Sequence, residues 1–296
     1  MDASLFSRAE DFIWKNARLL EKRIFAYFFL GGSAREVVSA LKAYQNPDGG
    51  FGNALEPDKR YPGSTPVDVQ HALEFLDQVG MLKDPAVQAE LILLACDFLT
   101  SITTAEGGVP FTLPEVKRYP CAPWWETGEN PPATLNPTAA IAGLLIKSGV
   151  QHPWVDRAKA FCWKEIPASQ TEQYHDLLPM IAFLMHTPER EAADRELVRI
   201  AARIHKPGIV AYDRGQAGYL KFPLDWAPNP RAFCRRLFSD EVIQADLAAL
   251  KAVQMPDGGW PIGWTPVSPA VEAEWRGWGA VQNLVTLKEY GALENA

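Results

Sequence analysis

The stretch "ALKAYQNPDGGFG" at residues 40–52 decides the fold, because the chain writes it nearly twice. At 249–260 the sequence reads "ALKAVQMPDGGW", identical at nine of twelve positions across a separation of 209 residues. A worn third copy, "TAEGGVPF" at 104–111, places Gly107 58 residues after Gly49. A separation of 209 residues is about four periods of 52, the range of helical-repeat architectures.

Each turn follows a stretch with apolar residues at helical spacing: Val37, Val38, Leu41 and Tyr44, then Val242, Leu247, Leu250 and Val253. Pro-Asp-Gly-Gly stops that helix, since proline cannot continue it and glycine takes the left-handed conformation. A second helix is then expected to open on a cap residue followed by proline: Thr65-Pro66, Asn136-Pro137 and Ser268-Pro269. Gly80, Gly149 and Gly291 suit the ends of these helices. Almost nothing alternates as a strand would. The spacing predicts an all-α chain of about six helical hairpins. One set of helices is expected near 17–30, 66–79, 137–149, 172–187, 229–238 and 269–290. The other is expected near 3–15, 33–46, 85–103, 153–165, 189–205 and 240–254.

Leu41-Lys-Ala-Tyr-Gln45-Asn-Pro-Asp-Gly49-Gly-Phe51 and Leu250-Lys-Ala-Val-Gln254-Met-Pro-Asp-Gly258-Gly-Trp260 resemble the glutamine–tryptophan repeat of terpenoid and squalene cyclases and of protein prenyltransferase subunits. The resemblance implies one α/α toroid over residues 1–296, with inner and outer rings of helices around a central cavity. In the turns themselves, Gln45 and Gln254 are expected to tie helix ends to the next repeat, and Phe51 and Trp260 to plug the gaps between helices. Asp48 and Asp257 suit Asx bonding within the turn.

In such a ring the long connections, 51–64, 106–135, about 207–228 and 260–267, fall on one face, where binding residues collect. They carry many of the chain's ten tryptophans. "LEPDKRYPGSTP" (55–66) holds Glu56 and Asp58 as candidate general acids beside Arg60 and Tyr61; a solvated loop with an Asp58–Arg60 pair is the alternative. "SPAVEAEWRGWGAVQ" (268–282) sets Glu274 near Trp275 and Trp278, where indole carbon would desolvate a carboxyl. Glu272 and Arg276, four residues apart, are expected to pair. Trp124 and Trp125 lie in a loop read either as a lid or as a plug. Trp226 and Trp264 are further candidates for the aromatic wall. Pro179 removes a hydrogen bond to the His175 carbonyl, which places His175 either at a polar gap or in ordinary packing. His71 is read as a satisfied core histidine.

A net charge of -7 and a pI near 5.4 exclude a basic nucleic-acid surface. The four dispersed cysteines form no CxxC pair and suggest reduced thiols in a cytoplasmic protein. "MDASLFSRAEDF" is too acidic for a signal peptide, and "IFAYFFLGG" is too short to span a bilayer. Asp-x-Asp-Asp, Asp-Asp-x-x-Asp, His-Glu-x-x-His and Cys-Gly-Glu-Gln are all missing, so no metal or cofactor is expected. Three functions stay open. The first is a terpenoid-cyclase-like protein holding a small hydrophobic, prenyl-type ligand, with acid-initiated cyclisation if it is an enzyme. The second is a carbohydrate-active hydrolase or lyase acting on a sugar-like ligand. The third is a non-catalytic binding or partner subunit.

Overall fold

The helical periodicity and the proline–glycine punctuation are realised almost segment by segment in a computed structural model, which describes residues 4–293. In chain order the helices are α1 (Leu5–Asn16), α2 (Leu19–Phe29), α3 (Ala34–Lys42), α4 (Pro66–Gln78), α5 (Pro85–Val87), α6 (Leu93–Ser101), α7 (Leu135–Ser148), α8 (Pro153–Ala168), α9 (Tyr174–His186), α10 (Arg190–Ile204), α11 (Pro223–Trp226), α12 (Asp240–Ala252) and α13 (Pro269–Glu289). A π-helical segment, Gln88–Ile92, joins α5 to α6 without a break. Among the described residues there is no β-strand, and the bridges Gln45–Phe51, Lys59–Cys121 and Pro110–Ala133 stand isolated.

One expected helix is not there. Residues 229–238 form only a 3-10 turn, Phe233–Leu237. Pro228 and Pro230 remove backbone donors at its start, and a proline disfavours the α conformation in the residue before it. Asn136 has the non-helical conformation of a cap residue, with φ -97° and ψ 115°, ahead of the regular helix from Pro137, but its side chain makes no cap hydrogen bond among those described. The other two caps form, with Thr65 Oγ1 accepting from Asp68 N and Ser268 Oγ from Val271 N. α9 runs through Pro179.

The chain divides into two compact units. A mid-chain unit covers Ala34–Ile200, and a terminal unit is assembled from the chain up to Ser33 and from Ala201 onward. In the mid-chain unit α7 is the core helix. It packs on α4, α8 and α9, and Pro137 to Leu145 are all buried. A helix apolar on every side has to be surrounded in this way. Burial of each Ile or Leu there contributes about 1.5–3 kcal/mol. In the terminal unit α13 packs on α1 and α2. Val271, Gly277, Ala280, Val281, Leu284 and Leu287 form its buried stripe. Gly277 permits the approach, because a Cβ there would lie 2.7 Å from the Ala17 backbone.

The repeated turn has the same hydrogen bonds in each copy. Asn46 N donates to Gly50 O and Gly49 N to Asn46 O; Met255 N donates to Gly259 O and Gly258 N to Met255 O. The third copy repeats the pattern, with Thr104 N to Gly108 O and Gly107 N to Thr104 O. In the mid-chain unit Gln45 Nε2 donates to Gly49 O at 2.8 Å and to Leu91 O, on the π-helical segment, at 3.0 Å. In the terminal unit Gln254 Nε2 donates to Gly258 O at 2.9 Å and to Leu5 O at 3.0 Å, while Arg8 donates to Gln254 Oε1. Asp48 and Asp257 accept from Gly50 N and Gly259 N, the Asx bonds expected of them. Phe51 and Trp260 are buried behind the turns, Trp260 with its Nε1–H on the Leu250 carbonyl. Gly258 has φ +92°, and a Cβ on it would lie 2.1 Å from Arg8 O, so only glycine fits.

Candidate functional site

The terminal unit carries a half-open cavity of about 680 Å³, within the size range of ligand sites. Three pieces of backbone supply most of its wall, with Leu250 and Val253 at the end of α12 completing it. Residues 214–222 form one wall and the loop after the second turn, from Trp260 to Thr265, another. α13 supplies the third through Trp275, Trp278, Gly279, Gln282 and Asn283, which share one face at helical spacing. Arg276 fixes that helix against the turn. It holds Asp257 through both carboxylate oxygens at 2.7 and 2.8 Å, donates to Trp260 O, and stacks over Phe12. The expected Arg276–Glu272 pairing therefore gives way to a charge-assisted bond in which one guanidinium nitrogen, Nη2, reaches both Asp257 oxygens while Nε holds the Trp260 carbonyl, clamping the loop.

The cavity wall is a run of touching rings. Trp275 and Trp278 are stacked with centroids 5.1 Å apart, Trp264 meets Trp275 edge-on at 5.3 Å, and Tyr219 meets Trp264 edge-on at 5.4 Å. Edge-on and offset contacts of this kind suit the quadrupoles of aromatic rings. Trp264 and Trp275 bury their Nε1–H groups without an acceptor among the described residues.

Charge enters the wall from residues 214–225. Arg214 lies over Phe222 at 4.4 Å and binds both oxygens of buried Asp246, which also accepts Leu224 N. Asp225 accepts Phe222 N at 2.7 Å, closing the single turn of α11. Lys221 Nζ sits 4.3 Å above the Tyr219 ring. Burial pushes the Asp225 carboxyl above its ordinary value, against the opposing pull of Lys221 and Arg214. Burial likewise holds the Lys221 amine below its ordinary value, although the Asp225 charge works the other way. Both groups are displaced toward their neutral forms.

No protein-family model and no curated protein matches this chain. Among the described residues no helix is long and apolar enough to cross a membrane, and no cluster of three or more His, Cys, Asp or Glu suits a metal ion.

The mid-chain unit holds a second concentration of charge, around residues 55–74. Glu56, Asp58, Lys59, Thr65 and Asp68 are all buried. Asp68 accepts from Glu56 N at 2.7 Å and from Thr65 Oγ1 at 2.6 Å, and Lys59 Nζ lies 2.8 Å from its Oδ2. That lysine contact is an ion pair and not a well-aligned hydrogen bond. His71 stands between two carboxylates, Glu56 at 3.0 Å and Glu74 at 2.9 Å. Burial works to lower the imidazole pKa, but the two carboxylates outweigh it and raise the group to about 9. Both ring nitrogens then donate, so His71 is a cationic clamp with no lone pair to act as a base. Residues 120–125 cover this network. Arg60 N donates to Pro120 O, Ala122 N to Asp58 O, and Trp125 lies between the Lys59 amine and the Phe111 ring, 4.7 Å from each.

Of the sequence candidates, Trp264, Trp275 and Trp278 line the terminal-unit cavity. Trp226 is buried and Glu274 half-buried, and neither is in its lining. In the mid-chain unit Glu56 and Asp58 belong to the buried network, Tyr61 packs edge-on against Tyr119, and Arg60 bonds the covering segment through its backbone. Trp125 is the buried member of its pair and Trp124 the exposed one. His175 is exposed, with Tyr174 edge-on to its ring. Sequence reasoning missed Lys221, Asp225, Lys59 and Asp68. The signal for the two aspartates was local: each lies three residues after a cap position before a proline, Thr65 and Phe222.

Proposed function

We propose that the chain is a terpenoid-cyclase-like protein of the α/α-toroid type that holds a small prenyl-type ligand in the aromatic cavity of its terminal unit. The run of touching rings from Tyr219 through Trp264 and Trp275 to Trp278 carries this reading. Such a run offers contact area and π-faces to an unsaturated hydrocarbon. The toroid is supported by the recurrence of the turn and by Gln254, whose amide engages the first helix from the last turn, as closure of a ring requires.

Proton-initiated cyclisation is the weaker part of the resemblance. Asp225 is the carboxyl in the cavity wall among the described residues, and burial makes it a poorer acid than usual. A weak acid of that kind serves oxygen or nitrogen better than an alkene carbon. The reading is therefore of a prenyl-binding protein whose chemistry, if any, falls at a heteroatom. Gln282, Asn283 and Thr265 in the wall favour a second reading, a sugar-like ligand stacked on indole. With one carboxyl in place of the facing pair, that reading is one of binding and not of hydrolysis.

Titration of the intrinsic tryptophan fluorescence with geraniol and, separately, with glucose decides between them. Saturable quenching by geraniol, weakened about tenfold or more in Trp278→Ala by loss of a ring contact, is the expected result. Quenching by glucose alone, or by neither, removes the prenyl reading.

A further inference from the structure

We propose that Lys221 is a covalent-binding lysine, whose amine in the cavity wall condenses with the carbonyl of an apolar aldehyde or ketone with Asp225 as proton donor. The inference rests on the cavity of the proposed function and adds to it the chemical class of the ligand's reactive end.

Placement singles out this lysine. Lys15, Lys42, Lys117, Lys147 and Lys159 form ion pairs with carboxylates at partly exposed positions. Lys59 is sealed against Asp68. Lys288 gives its amine to the Phe28 carbonyl. Lys221 lines a cavity of about 680 Å³ with its Nζ 4.3 Å from the Tyr219 ring. Its backbone is fixed from both sides, since Ala211 N bonds the Lys221 carbonyl and Asp225 bonds the N–H of the adjacent Phe222. Asp225 is thereby held next to the lysine's own segment by the turn that forms α11. The charged groups of this wall are Arg214, Lys221 and Asp225.

An ammonium has no lone pair to attack a carbonyl, and an ordinary lysine is protonated in all but about one molecule in a few thousand at pH 7. Desolvation in an apolar site is a recognised means of activating one. Burial shifts Lys221 toward the free amine and Asp225 toward the protonated acid. The step balances within the pair. The neutral amine adds to the carbonyl carbon, and a proton moves from nitrogen to oxygen to give a carbinolamine. Asp225 then protonates the hydroxyl, which departs as water while the nitrogen lone pair forms the C=N bond. The products are a protonated imine, water and the Asp225 carboxylate, which the iminium charge stabilises in turn.

Reductive trapping tests this on the intact protein. The chain is incubated at pH 7 with sodium cyanoborohydride and either glycolaldehyde or geranial, and labelled lysines are located by peptide mass spectrometry. Labelling of Lys221 several-fold faster than of the exposed lysines, slowed in Asp225→Asn, is expected with both aldehydes. The exposed lysines of the same molecule serve as internal standards, so the result does not depend on a variant folding. Labelling of Lys221 no faster than theirs with either aldehyde overturns the inference, while geraniol quenching still tests the prenyl reading by itself. Fast labelling by glycolaldehyde but not by geranial sustains the reactive lysine and removes the prenyl ligand.

Discussion

Gln254 and Leu5 stand 249 residues apart in the chain and share a 3.0 Å hydrogen bond from amide to carbonyl. The same amide group bonds Gly258 O, and its oxygen accepts from Arg8. One side chain thus joins the last helical turn to the first helix of the terminal unit. Gln254→Ala is expected to cost about 2–3 kcal/mol, since it leaves a part-buried carbonyl and a guanidinium short of partners. Urea unfolding of the two proteins measures the loss; a change below about 0.5 kcal/mol would mean that water replaces the amide at no cost.

Gly258 and Gly149 both have positive φ, +92° and +74°, yet only Gly258 lies against a neighbour. Gly149→Ala should cost about 1 kcal/mol from backbone strain alone. Gly258→Ala must in addition push Arg8 away, and is expected to be the more destabilising by at least about 2 kcal/mol. Equal thermal shifts for the two variants would show that α1 yields freely at Arg8.

His71 makes stability depend on pH in a definite direction. Its pKa is about 9 in the fold against an ordinary 6.5, so its contribution is complete below about pH 6.5 and is lost as the pH rises through 9. The whole effect is on the order of 3 kcal/mol at most. Melting temperatures from pH 6 to pH 10 should fall more steeply for the native chain than for His71→Asn. Parallel profiles would assign the carboxylate clamp no energetic role.

Lys59 and Asp68 are a sealed pair, each fully buried. Lys59→Met leaves Asp68 charged beneath Trp125 and should cost about 3–5 kcal/mol. Adding Asp68→Asn to that variant removes the stranded charge, and is expected to restore a measurable part of the loss. A double variant less stable than the single one would show that the bonds from Glu56 N and Thr65 to the carboxylate outweigh the ion pair.

The turns were legible because each of their residues answers to a local rule. Gln45, Asp48, Gly49 and Phe51 each do in space what their position in the repeat suggested. The helix starts at Thr65 and Ser268 were legible for the same reason. The expected helix at 229–238 failed where prolines override a helical pattern. The wall tryptophans at 264, 275 and 278 could be named from their density, but the charged pair beside them could not. Which carboxylate meets Lys59 or Arg276 is settled by how the intervening loop closes, 9 and 19 residues along the chain, and loop closure leaves no periodic trace. Arg276 illustrates this: its nearest helical partner was Glu272, and its actual partner is Asp257 across the loop.

The two units differ in what a ribosome must deliver before they can form. Ala34–Ile200 is one uninterrupted stretch and can condense as soon as it has emerged. The other unit needs α1 and α2, which precede that stretch, to wait for α12 and α13, which follow it. Its leading segment must therefore stay soluble until α13, the helix on which α1 and α2 pack, has been made. Nascent chains stalled after residue 200 should carry a protease-resistant middle behind a sensitive leading end, and the time spent in that half-finished condition sets how much help from chaperones the protein requires.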